Sequence, residues 1–186
     1  MFSLKDKVAL VTGAGSGIGA SIAGVFATAD AFVFVADRDE HGGRETVQRI
    51  HTAGGHAEFI SLDITNEPQC EAIREVVHGK FGRLDILVNN AGIGHVGTML
   101  QTTGRDMDAI YAVNVRGMFN ITKVFLPGMV ERKHGVIINM ASIGGVVGVR
   151  DRLAYTTSKF AVVGRDGQLT VSLVSHREGP EILLPG

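Results

Sequence analysis

Short β-branched apolar runs alternate along this chain with longer stretches whose apolar residues recur at helical spacing. Val8-Ala9-Leu10-Val11, bounded by charge, reads as a buried strand. Ile18, Ile22, Val25 and Phe26 then recur every three or four positions and predict one apolar face of a helix. Residues 31–36 form a second strand ending at Asp37. Residues 44–53 form a polar helix stopped by Gly54-Gly55, and residues 56–62 a third strand ending at Asp63. Thr65 or Asn66 caps the next helix, with Glu67 and Pro68 in its first turn and its stop near Gly82. Residues 84–88 are a fourth strand running into Asn89-Asn90-Ala91-Gly92. A long helix over 105–130 carries Met107, Ile110, Tyr111, Met118, Phe125 and Met129, residues 135–140 are a fifth strand, and a last helix begins near Arg152.

Repeated β-α units predict an α/β fold: a doubly wound parallel sheet, Rossmann-type, with helices on both faces. In such sheets ligands bind outside the carboxyl ends of the strands, at the point where strand order reverses. The run Thr12 to Gly19, Asp37, Asp63, the Asn89–Gly92 stretch and Ser142 all fall at those ends.

Composition narrows the class. The 186 residues suffice for one substantial domain, and 45% hydrophobic with 20% charged is an ordinary globular balance. With 18 basic against 19 acidic residues, bulk charge favours neither nucleic acid nor an anionic membrane. No apolar run reaches membrane-spanning length, and no signal peptide is visible. The single Cys70 excludes an internal disulfide, so a cytoplasmic location is expected. The seven histidines lack ligand spacing with Cys or carboxylates, so no required metal is expected.

Thr12-Gly13-Ala14-Gly15-Ser16-Gly17-Ile18-Gly19 joins the first strand to the first helix. Free N–H groups at such a turn, with the helix dipole, suit a phosphate, although a plain flexible turn has the same composition. Asp37, 18 residues past Gly19, is placed to accept both hydroxyls of an adenosine ribose and to repel a 2′-phosphate. That favours NAD over NADP, with Arg38 as a counterweight. Tyr155 and Lys159, four apart, share a helix face, and an ammonium there lowers a phenol pKa from about 10. Ser142, 13 residues before Tyr155, is either a turn serine or a hydrogen-bond partner for a substrate oxygen. Asn114 lies between Val113 and Val115 inside an apolar helix, which predicts burial with a polar partner.

Taken in order, Thr12-Gly13-x-x-x-Gly17-Ile18-Gly19, Asp63, Asn89-Asn90-Ala91-Gly92, Asn114, Ser142 and Tyr155-x-x-x-Lys159 resemble the short-chain dehydrogenases/reductases over about residues 4–164. The resemblance implies an NAD(P)-dependent oxidoreductase acting on a secondary alcohol or ketone. Tyr155 would be the acid/base, Lys159 its pKa-lowering partner and ribose ligand, and Ser142 the group polarising the substrate oxygen. Asn114 would hold a proton-relay water. Thr12, Gly13, Ser16, Gly17, Ile18, Gly19, Asp37, Asp63, Ile64, Asn90, Ala91 and Gly92, with Tyr155 and Lys159, would surround the cofactor. A homo-oligomer through the long and catalytic helices is also implied.

Residues 1–164 are thus expected to form the dinucleotide-binding and catalytic domain. Residues 165–186 form a divergent tail of the same domain. In that tail Arg165-Asp166-Gly167 is expected to interrupt the catalytic helix, with residues 169–173 alternating like a strand and a turn at 178–180. Family members usually run to roughly 250 residues. The alternative expectation is therefore a truncated, catalytically impaired nucleotide-binding or partner-binding protein.

Overall fold

A computed structural model describes residues 3–166. Five parallel strands lie in the order β3-β2-β1-β4-β5: β1 Val8–Thr12, β2 Phe32–Asp37, β3 His56–Ser61, β4 Ile86–Asn89 and β5 Val136–Asn139. Between them run α1 Gly17–Thr28, α2 Glu40–Thr52, α3 Glu67–Phe81, α4 Gly104–Tyr111 and α5 Met118–Glu131, and α6 Leu153–Asp166 follows β5. The order reverses at β1, so the crevice between the ends of β1 and β4 is the switch point. This is the predicted doubly wound sheet.

Period-two alternation builds two cores from one sheet. Val8, Leu10, Phe34, Ala36 and Leu87 face α3 and α5, joined by Ile73, Val77, Ile121 and Phe125. Ala9, Val11, Val33, Val35 and Val88 face the other way, against Ala23, Ala27 and Ile50 of α1 and α2. Buried on both faces, β1, β2 and β4 are near-continuous apolar runs, while the edge strand β3 is partly exposed.

Helix ends follow their chemistry. Asn66 caps α3, its Oδ1 accepting from the Gln69 N–H at 3.1 Å. At the far end Gly82 takes a left-handed φ of 68° and donates to His78 O at 2.8 Å. Helix α2 starts four residues before the predicted Arg44, because the glycines at 42 and 43 pack closely instead of breaking it: a Cβ on Gly43 would meet the Phe59 ring at 2.2 Å.

The predicted apolar face of α1 packs only in part. Gly19, Ala23 and Ala27 are buried, while Ile18 is 65% and Val25 55% exposed; Ile22 and Phe26 lie at the edge of the core. Small residues bring α1 close to the sheet, and bulkier ones would hold it away. The long helix over 105–130 is also not one α-helix. Residues Ala112–Gly117 form a π segment between α4 and α5. Helix α6 continues through Asp166, so Arg165 and Asp166 do not interrupt it. The expectations for Gly167 and for residues 169–186 lie outside the described residues.

Candidate active site

The glycine turn is built by close approach. Gly13 has φ +65°, and a Cβ there would lie 2.7 Å from Ala91 Cα. A Cβ on Gly19 would lie 2.2 Å from Gly13 O and 2.5 Å from Asn90 Nδ2. Only glycine fits either place. Ser16 occupies the N-cap of α1 without a side-chain capping bond, so the first-turn N–H groups are not satisfied by it.

The turn is tied to the end of β4 by two side chains. Thr12, fully buried, donates its hydroxyl to Val88 O at 3.2 Å and accepts from the N–H groups of Asn90 and Ala91, both at 3.1 Å. Asn90 Nδ2 donates to Thr12 O at 3.0 Å and Gly13 O at 3.1 Å. Thr12 therefore holds the cradle instead of facing it, and the Asn90 amide is spent the same way.

Gly13, Ser16, Gly17, Ile18, Asp37 and Asp63 line a cleft of about 470 Å³, together with Ile64, Asn90, Ala91 and Gly92. Asp37 accepts the Gly15 N–H at Oδ2, 2.8 Å, and the Asp39 N–H at Oδ1, 3.0 Å, which fixes its carboxylate at the cleft edge. Asp63 accepts from the Thr65 hydroxyl at 2.7 Å and the Thr65 N–H at 2.9 Å. These bonds hold its carboxyl below the usual carboxylate range. A cleft of this size at an uncapped helix N-terminus, with a fixed carboxylate one strand away, fits a dinucleotide.

Across the switch point, Lys159 is buried on α6, its ammonium donating to Met140 O at 2.5 Å and lying 5.8 Å from the Tyr155 ring centre. Burial pushes its pKa below the ordinary 10.5. Ser142 caps the short 3₁₀ turn Ile143–Gly145, its Oγ accepting the Gly144 N–H at 3.2 Å. A methyl on Gly144 would touch Tyr155 Cε1 at 3.6 Å and Ser142 Oγ at 3.7 Å, so the phenol and the hydroxyl flank one small gap.

Asn114 sits inside the π segment, 1% exposed. Its Oδ1 accepts the Ile93 N–H at 2.8 Å, and its Nδ2 donates to Ile93 O and to Ser158 Oγ, both at 3.0 Å. Ser158, fully buried, passes its own proton to Tyr155 O at 2.7 Å. Sequence reasoning missed Ser158. Its only signal is a polar residue on the inner side of the Tyr155–Lys159 helix. Asn89, named in the sequence only as part of the motif, is buried and donates to Thr122 Oγ1 at 2.9 Å and Asn139 Oδ1 at 2.8 Å, and so joins β4 to α5 and β5.

A family model described as short chain dehydrogenase matches residues 7–177. The chain belongs to the short-chain dehydrogenase family. It is an NAD(P)-dependent oxidoreductase by family and by fold. An uncharacterized oxidoreductase of Thermotoga maritima is 40% identical over 184 residues, covering 99% of this chain and 72% of that protein. A metagenomic short-chain oxidoreductase solved with NADP superposes with a TM-score of 0.85 at 36% identity, covering 89% of this chain and 76% of the other. A short-chain dehydrogenase/reductase of Burkholderia phymatum solved with NAD gives 0.86 at 33% identity, covering 91% of this chain and 60% of the other. The family match thus runs past Gly164, where the sequence pattern alone predicts it to end. Among the described residues no helix is long and apolar enough to cross a membrane.

Proposed function

We propose that this short-chain dehydrogenase transfers hydride between NAD and a secondary alcohol or ketone, with Tyr155, Lys159, Ser142 and Asn114 handling the proton. The observation that carries this reading is the buried Lys159 ammonium held beside the Tyr155 ring. The nicotinamide, when bound, supplies the hydride acceptor or donor. The protein does the rest. The Tyr155 hydroxyl takes the proton of an alcohol or returns one to a carbonyl oxygen. Lys159 favours the phenolate by charge. Ser142 Oγ already accepts the Gly144 N–H, so its own proton is left to donate to the substrate oxygen.

Asn114 has its side-chain oxygen and both amide hydrogens engaged within the protein. The relay water assigned to it would rest on the second lone pair of that oxygen or on the backbone carbonyl. The turn Gly13–Gly19 holds the phosphates, Asp37 the adenosine ribose, and Asp63 and Ile64 the adenine. Asn90, Ala91 and Gly92 run along the rest. The fixed carboxylate of Asp37 supports NAD over NADP, since a 2′-phosphate would meet it directly. Self-association runs through α5 and α6, which expose Phe119 and Phe160.

Fluorescence titration with NADH and NADPH, followed by an alcohol panel, tests the proposal. NADH binds more tightly, and Asp37→Ser moves the preference about tenfold or more towards NADPH. Equal affinities that Asp37→Ser leaves unchanged overturn the NAD assignment. Tight NADH binding without turnover of any alcohol favours the non-enzymatic nucleotide-binding reading.

A further inference from the structure

Two segments lead away from the strand ends that carry the site, residues 96–100 after β4 and residues 143–149 after Ser142, and both expose apolar side chains. In the first, Val96 is 67%, Met99 78% and Leu100 98% exposed; in the second, Ile143 is 68%, Val146 64% and Val147 49% exposed. Neither residues 96–100 nor residues 143–149 contain a charged side chain. Single exposed apolar residues are ordinary, but contiguous ones mark a binding surface.

Hydrogen bonds tie the first segment to the residues that lead into α6. Gly97 N–H donates to Asp151 O at 2.8 Å, Leu153 N–H donates to Gly97 O at 3.4 Å, and Arg152 Nη1 donates to His95 O at 3.3 Å. The second segment begins at Ser142 itself, which caps its first turn. The first segment is therefore tied to the start of α6, which carries Tyr155, and the second starts at Ser142.

We infer that the substrate is an apolar secondary alcohol or ketone, whose hydrocarbon part lies on Val96, Met99, Leu100, Ile143, Val146 and Val147. This rests on the proton-transfer reading of Tyr155 and Ser142. Apart from Thr98, these two segments offer no polar side chain to satisfy the further hydroxyls of a polyol. A site that recognises such hydroxyls must supply partners for them. An alkyl group loses nothing there and gains burial.

Steady-state NAD reduction with 2-butanol, 2-hexanol, 2-octanol and sorbitol tests the inference. Specificity, kcat/KM, rises two- to fourfold per added methylene, the upper figure corresponding to full burial, and sorbitol lies below 2-butanol. Leu100→Asp flattens the series. A flat series, or sorbitol turned over best, overturns the inference while the catalytic reading stands. Calorimetric binding of 2-octanone against 2-butanone, with NAD saturating, reads the same slope without turnover. A protein inactive on every alcohol that still binds 2-octanone more tightly keeps the apolar surface and overturns the catalytic reading; equal binding overturns both.

Discussion

Asn114 concentrates the polar demands of the catalytic neighbourhood on one buried side chain. Three of its hydrogen bonds are to Ile93 and Ser158, so the loop after β4, the π segment and α6 are fixed by a single amide. Removing the Ser158 hydroxyl leaves an Asn114 N–H buried and unpaired. Ser158→Ala is expected to lower stability by about 1–3 kcal/mol, read from the midpoint of urea unfolding. The same change reduces kcat more than KM, because Tyr155 loses the bond at its carbonyl while the cofactor cleft is untouched. The burial of Asn114 was legible in the sequence from its two valine neighbours. Its partners were not, because Ile93 contributes only backbone and Ser158 is 44 residues away.

At the scale of elements, the turn from β1 into α1 shows what a hydrophobic pattern reads and what it misses. The pattern located the helix and the glycine run. It found Ile22 and Phe26 but missed the centre of the packing face, since Gly19, Ala23 and Ala27 have little apolar surface to register, yet they let the helix approach the sheet. Two glycines of α1 separate packing from propensity. Gly19→Ala drives a methyl into Gly13 O and Asn90, and is expected to destabilise the protein by about 1–3 kcal/mol while weakening NADH binding at least tenfold. Gly24→Ala meets nothing within 4 Å and is expected to stabilise by about 0.5–1 kcal/mol with NADH affinity unchanged. The π segment was not legible at all. Residues 112–117 continue the helical spacing, and the extra residue in the turn is set by tertiary contacts, including Gly117 against Ile64.

Across the whole molecule, two buried ionisable groups report on folding. Burial first, then the carboxylates of Asp63, Glu67 and Glu71, push the Cys70 thiol up to about 11. Native protein is therefore expected to resist iodoacetamide at neutral pH and to be labelled only as it unfolds, which mass spectrometry reads directly. Lys159 has the opposite sense: burial lowers its folded pKa below 10.5. Between that lowered value and 10.5 the unfolded chain holds a proton that the folded chain does not, so this group's contribution to stability rises with pH through the window. Wild type should accordingly gain urea stability relative to Lys159→Met as pH rises through that range. Activity, which on the proposed mechanism needs the ammonium, should fall over the lower part of it. The doubly wound parallel sheet and the strand-end positions of the candidate site were legible because β-α alternation and the switch-point rule constrain them together.

The central claim is that Tyr155 moves the proton while the cleft at Gly13–Gly19 holds the cofactor independently of it. The most direct test is Tyr155→Phe, with NADH affinity and NAD reduction by a secondary alcohol measured on the same preparation. NADH affinity is expected to stay within about twofold of wild type and kcat to fall about 10²–10⁴-fold. A Tyr155→Phe protein that binds NADH normally and keeps the wild-type rate would contradict that claim.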